Sequence, residues 1–205
     1  MITAAQLKLF APRCDAEAIA PALDAAAFEA GCTTPLRVRQ FLAQWSVESA
    51  GFTRLVESLN YAPEALLRLW PRRVLPATAQ LFGRTGAHPA DQTAIANTVY
   101  GGRMGNVGPG DGWRFRGRGW AQLTGRANYA KAGLALGLDL VDDPDQAATP
   151  EISGRVCAWY WTAHDLNAAA DRDDLEAVTR GVNGGLNGLG DRRAALERAR
   201  AIWGA

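Results

Sequence analysis

The sequence predicts a mainly α-helical fold, on three observations. Apolar residues recur at helical spacing, as in Val38, Phe41, Leu42 and Trp45. Start signals stand before such segments: Asp15, and Thr33-Thr34-Pro35, where a capping hydroxyl precedes a proline whose fixed φ suits the first helical turn. Glycine is concentrated. Of 22 glycines, nine lie between Gly101 and Gly125 and five more between Gly181 and Gly190, so helices are expected outside those windows.

Taken in order, Asp15 caps a helix with Ile19, Ala22, Leu23, Ala26 and Phe28 on its apolar positions. Thr34 and Pro35 open the next helix, and Gly51 ends it. Residues 54–61 form the best strand candidate, a small β element in a helical chain. Pro63 starts a short helix through Leu66, Leu67 and Trp70, which Pro71 stops. Glu151 to Leu166 reads as a buried helix around Cys157, Trp159, Tyr160 and Trp161, and Asp191 to Trp203 as a last amphipathic one. No internal repeat or low-complexity linker interrupts the chain, so residues 1–205 are read as one domain with two lobes. The two glycine-rich windows are candidate walls of a site, since glycine lets backbone approach a ligand closely.

Composition excludes several classes. With 22 basic and 21 acidic side chains the net charge is +1, which gives no polybasic surface, and no nucleic-acid partner is expected. Three scattered cysteines form neither a disulfide framework nor a zinc motif, although a Cys14–Cys32 bridge stays open. No H-E-x-x-H, phosphate-loop or G-x-S-x-G motif occurs, so no metal and no cofactor are expected. Met1 to Cys14 lacks the basic start and apolar run of a signal peptide, and synthesis in the cytoplasm is expected.

Two glutamates carry the chemical argument. On a helix, Glu48 lies within about 20° of Phe41 and about 60° of Trp45, which puts a carboxylate on the apolar stripe. Desolvation there raises a carboxyl pKa, as a general acid requires; the plainer reading is a carboxylate that ends the helix or pairs with an arginine. Glu57 follows nine residues later, beyond Gly51, where the chain can turn back. Two carboxylates facing one cleft suit glycoside hydrolysis, roughly 6.5–9.5 Å apart for inversion and about 5–5.5 Å for retention. By itself Glu57 reads better as an exposed surface residue.

The chain resembles family 19 glycoside hydrolases, and more narrowly their bacteriophage endolysin branch. The resemblance rests on Phe41 to Phe52, Val56 to Tyr61, Ile95 to Asn97, Tyr100 to Asn106, Asp111 to Trp113, Arg116 to Tyr129, Val182 to Leu189 and Asp191-Arg192. It implies a lysozyme-like helical fold with a cleft between two lobes, and inverting hydrolysis of a β-1,4 bond between N-acetylated sugars. By that resemblance Glu48 matches the general acid, Glu57 the general base, and Thr124 the hydroxyl that helps hold the attacking water. Gln122, Asn128 and Asn183 match cleft residues, and Arg192 an arginine near the acid. Val47 departs from the histidine usual before the acid. Tyr61, Tyr100, Trp113, Trp120 and Tyr129 are candidates for stacking on sugar rings, or else core packing. Arg114, Arg116 and Arg118 either contact an anionic glycan or brace the glycine loop.

The function expected is an endolysin-type lysozyme acting on peptidoglycan glycan strands. It would be made in a host bacterial cytoplasm and act as a monomer in the periplasm, after a separate membrane-permeabilising protein opens the way. No separate wall-binding domain is expected. A chitinase, a catalytically silent glycan-binding module and a toxin delivered by a secretion machine are the alternatives.

Overall fold

The computed structural model describes residues 1–204. Twelve α-helices are present among them: α1 (Ala4–Phe10), α2 (Ala16–Glu29), α3 (Pro35–Glu48), α4 (Pro63–Leu69), α5 (Pro76–Phe82), α6 (Gln92–Tyr100), α7 (Asp111–Arg114), α8 (Arg126–Leu136), α9 (Pro150–Ala163), α10 (Leu166–Asp171), α11 (Leu175–Asn183) and α12 (Leu189–Trp203). A 3-10 turn spans Pro144–Ala148. The fold is mainly α, as expected. Strand structure among the described residues is limited to isolated bridge positions at Val56, Arg118 and Leu123. No described helix is long and apolar enough to cross a membrane.

The chain divides into two compact units. The first comprises Met1–Leu55, Arg118–Gln122 and the chain from Asp145 onward; the second comprises Val56–Gly117 and Leu123–Pro144.

In the first unit local capping sets the helix starts. Asp15 accepts from the Ala18 N–H at 3.2 Å, and Thr34 from the Arg37 N–H at 3.4 Å with Pro35 in the first turn. Helix α3 is the centre of this unit and is buried from Val38 to Ser46. Phe41 meets Trp161 at 5.3 Å between ring centroids, and Trp45 meets Tyr160 at 5.9 Å, both edge-on. Two buried amides of α3 find partners in the same unit: Gln40 donates to Asp173 at 2.9 Å and Gln44 to Thr179 at 3.2 Å. Phe28 does not join this core. It is 75 % exposed, because α2 points it away from the contacts that α1 and α9 make with the helix. Cys14, Cys32 and Cys157 are all buried free thiols, so the open Cys14–Cys32 bridge is not formed.

Segment 118–122 is pinned into the first unit. Arg118 pairs with Asp145 at 2.7 Å, and the Trp120 N–H donates to Ser153 Oγ at 2.6 Å. Gly119 has φ +71°, and a Cβ there would stand 2.7 Å from the Ala147 carbonyl oxygen. Gly119→Ala therefore combines left-handed strain with a backbone clash. It is expected to destabilise the protein by about 1–3 kcal/mol. Thermal unfolding measures this, at roughly 2–4 °C per kcal/mol for a chain of this size; an unchanged midpoint would contradict it.

The second unit has a smaller core of Leu59, Leu66, Val74, Ala79, Ile95, Ala96 and Val99. Prolines open α4 and α5, and Asp91 caps α6 through the Ala94 N–H at 2.9 Å. Gly112 lets α7 lie against α6, since a Cβ would come within 2.5 Å of the Ala96 carbonyl oxygen. The strand expected over 54–61 is not formed. Beyond Val56 a single backbone bond reaches the distant segment, from the Glu57 N–H to the Gly117 carbonyl at 2.9 Å, and the chain then bonds to itself, the Tyr61 N–H to the Leu59 carbonyl at 2.9 Å. A partner made of a glycine turn offers no run of aligned donors and acceptors, so pairing does not propagate.

Candidate active site

In the first unit, Glu48 is the last residue of α3. The turn that follows is unusual: Ala50, Gly51 and Phe52 all have positive φ, at 54°, 76° and 61°. Two are not glycine, and left-handed backbone of that kind concentrates at functional sites. Ser49 secures the turn by donating to the Trp45 carbonyl at 2.6 Å and accepting from the Phe52 N–H at 3.0 Å. The helix thus ends three residues before Gly51.

Glu48 is paired with Arg192 of α12, one guanidinium nitrogen donating to Oε1. The carboxylate side chain is 24 % exposed and the guanidinium side chain 3 %. Arg192 also donates to Gln44 Oε1 at 2.6 Å and to the Asn187 carbonyl at 3.3 Å. Asn183 donates to that same carbonyl at 3.0 Å and accepts from the Gly185 N–H at 3.0 Å. Arg192 and Asn183 therefore share the Asn187 carbonyl, and Glu48 joins them through Arg192. The apolar stripe expected around Glu48 is replaced at this end by a polar bracket, so the plainer arginine pairing holds in the resting protein. Burial, together with the negative charge of Glu48, pushes the Cys157 thiol and the Tyr160 phenol up from their ordinary values. Both hydroxyl and thiol thus stay protonated near Glu48. Tyr160 donates to the carbonyls of Gly181 at 3.3 Å and Val182 at 3.1 Å.

Gln122 also lies in this unit, at φ +50°, and its amide donates to the Gly119 carbonyl at 2.9 Å. Of the two roles open to Trp120, core packing holds and sugar stacking does not. It is 0 % exposed, edge-on to Phe52 at 5.5 Å, so its ring faces are taken up by the core.

In the second unit, both carboxylate oxygens of Glu57 are held. Oε2 accepts from the Tyr100 hydroxyl at 2.8 Å and Oε1 from the Gly117 N–H at 2.5 Å. Burial, with the Glu57 charge and hydrogen bond adding to it, raises the Tyr100 pKa well above that of a free phenol. Tyr100 therefore remains a donor at any neutral or mildly alkaline pH. The hydroxyl of Tyr100 holds the carboxylate, a positioning contact that the sequence, which offered Tyr100 for sugar stacking or core packing, did not indicate. Tyr100→Phe is expected to lower kcat about tenfold with KM nearly unchanged, since Gly117 still holds one oxygen. A raised KM with unchanged kcat would restore the stacking role.

Thr124 is half-buried between Leu123 and Gly125, and its carbonyl accepts from the exposed Asn128 amide at 2.8 Å. Tyr61 is half-buried and packs edge-on against Trp70 at 5.4 Å. Tyr129 is buried and donates to the Arg116 carbonyl at 2.7 Å. The arginines brace backbone: Arg114 donates to the carbonyls of Val141 and Asp142, and Arg116 donates to Trp113 O while lying 3.8 Å above the Trp113 ring. The structure adds Gln44, Tyr160 and Gly117 to the residues found by sequence reading. Only Gln44 had a local signal, four residues before Glu48 on the same face of α3.

A family model described as chitinase class I of glycosyl hydrolase family 19 matches residues 85–179. A Haemophilus influenzae protein described as a glycosyl hydrolase family 19 domain-containing protein is 39 % identical over 181 residues, 87 % of this chain and 85 % of its own. The acidic endochitinase Q of Nicotiana tabacum is 32 % identical over 58 % of this chain. The match spans only 56 % of that plant protein's length. Among solved structures, chitinase C from Streptomyces griseus superposes with a TM-score of 0.65 at 21 % identity, covering 98 % of this chain and 76 % of that one. A bacterial family 19 chitinase superposes with a TM-score of 0.65 at 22 % identity, covering 100 % and 95 %. These superpositions bear on the fold.

Proposed function

Since this chain belongs to glycosyl hydrolase family 19, and is therefore a chitinase-like glycoside hydrolase, we propose that it cleaves β-1,4 bonds of bacterial peptidoglycan by single displacement with inversion. Glu48 is the acid that protonates the leaving oxygen, and Glu57 the base that takes a proton from the attacking water. Thr124 helps hold that water, while Gln122, Asn128 and Asn183 bind N-acetyl sugars through amide hydrogen bonds. The observation that carries the assignment is the double anchoring of Glu57. A carboxylate fixed by the Tyr100 hydroxyl and the Gly117 N–H keeps its remaining lone pairs in one orientation, as a base acting on a single water requires.

In this reading Arg192 holds Glu48 in place between turnovers and Gln44 holds Arg192. Glu48 takes a proton from solvent before each turnover; handing it to the leaving oxygen returns Glu48 to an anion beside a guanidinium, which lowers the cost of the charge that develops as the bond breaks. The enzyme is proposed to reach the periplasm with the help of a membrane-permeabilising partner and to work there as a monomer. Chitin is the second reading, favoured by the endochitinases among the relatives. Mass spectrometry of fragments released from purified peptidoglycan, run beside N-acetylglucosamine oligomers, tests the two. Muropeptides with newly cut glycan bonds support the first reading, and cleavage of the oligomers alone rejects it.

A further inference from the structure

We propose that a cavity in the first unit binds a short peptide bearing both carboxylate and ammonium groups, the chemistry of the peptide stems that peptidoglycan carries and chitin lacks. The inference rests on the peptidoglycan reading and deepens it. The cavity measures about 370 Å³, within the range of about 300–1,000 Å³ usual for small-ligand sites. The chain after α1 contributes Arg13, α3 contributes Val47, and α12 contributes Asp191 and Arg198. All three charged residues are exposed, and none has an ion-pair partner among the described residues. The Arg198 guanidinium lies 5.7 Å from the Phe10 ring centroid, which orients it while its N–H edge remains able to donate.

The cavity thus offers two guanidiniums and one carboxylate against an apolar wall of Phe10 and Val47. Neutral N-acetyl sugars need no such set, because amides and hydroxyls satisfy them. A peptide with carboxylates and a free amine matches it group for group: Arg13 and Arg198 take carboxylates, and Asp191 takes the ammonium. Val47, where the family usually carries histidine, keeps that wall apolar.

Reach is consistent with the same assignment. Val47 directly precedes Glu48. A Cβ on Gly188 would stand 3.7 Å from Val47 Cγ1 and 3.9 Å from Arg192 Nε, so one glycine separates the cavity wall from the guanidinium that holds Glu48. A peptide extends about 3.3–3.6 Å per residue, so three residues of a stem cover about 10 Å.

The test uses the tripeptide L-alanyl-γ-D-glutamyl-meso-diaminopimelate, titrated into the protein by calorimetry. It also uses hydrolysis of intact sacculi, of sacculi stripped of stems by an amidase, and of N-acetylglucosamine oligomers. The peptide is expected to bind. Arg13→Ala and Arg198→Ala are each expected to weaken binding about tenfold, as loss of a charge-assisted hydrogen bond does. Both should leave the melting temperature unchanged. The double variant is expected to lose its preference for intact over stripped sacculi, with the rate on stripped sacculi unaltered. Absence of binding, with equal rates on intact and stripped sacculi, overturns the peptide site and leaves peptidoglycan hydrolysis standing. Equal losses on both sacculi also overturn it, by making the cavity a sugar subsite. Peptide binding that the variants abolish, in a protein that cleaves only chitin oligomers, supports the cavity chemistry and overturns the peptidoglycan reading.

Discussion

Glu48→Gln is expected to fold like the wild type and to lose roughly 10²–10⁴ in kcat on peptidoglycan, the range for a positioned acid or base. The amide has nearly the shape of the carboxyl group, and its oxygen can still accept from Arg192, which Gln44 also holds. What it lacks is a proton to give. The loss should therefore depend on the leaving group. An aryl glycoside of an N-acetylglucosamine oligomer, whose phenolate departs without protonation, should be cleaved by the variant at nearly the wild-type rate. Steady-state kinetics on both substrates, with circular dichroism melting as the control, decides the matter. A variant within tenfold of wild type on peptidoglycan, or one equally impaired on both substrates, would remove Glu48 from the role of acid.

What the sequence revealed, and what it concealed, divides along the range of the interactions involved. Thr34-Pro35 and Asp15 marked helix starts correctly because a cap acts within three residues. Phe28 misled, because periodicity shows which face a residue occupies and not whether another element covers it. For Trp120 the sequence left stacking and core packing both open, and contacts remote in sequence decide it: its N–H binds Ser153 Oγ and its ring lies in the core. Glu57 stands out in the sequence only as a second carboxylate beyond Gly51, and the resemblance gives it its role. The two donors that fix it lie 43 and 60 residues further on, and no spacing rule connects them. The arginines of the glycine loop showed the same limit. Whether Arg116 met a glycan or a carbonyl depended on where Trp113 O came to lie.

Removing the base should produce a loss as large as removing the acid, with a different rescue. Glu57→Ala is expected to lower kcat roughly 10²–10⁴-fold, because water attacks slowly unless a base accepts its proton. It also leaves the space of a carboxylate beside Tyr100 and Gly117, both of which remain as hydrogen-bond donors. Azide is a nucleophile with no proton to lose. If water normally attacks on the face opposite the leaving group, azide entering in its place forms a bond to the anomeric carbon from that face. Glu48 still gives its proton to the departing oxygen, and the product is the α-glycosyl azide. Activity should therefore rise with azide in Glu57→Ala and not in Glu48→Gln, where the missing element is the acid. Proton NMR of the product from an N-acetylglucosamine oligomer or a defined muropeptide reads the anomer directly. In the wild type the first sugar released should likewise be the α anomer. A β-glycosyl azide, or a β anomer appearing first in wild-type digests, would require a double displacement or a substrate-assisted route. In that case Glu57 would not be activating a water, and the anchoring by Tyr100 and Gly117 would be serving some other purpose.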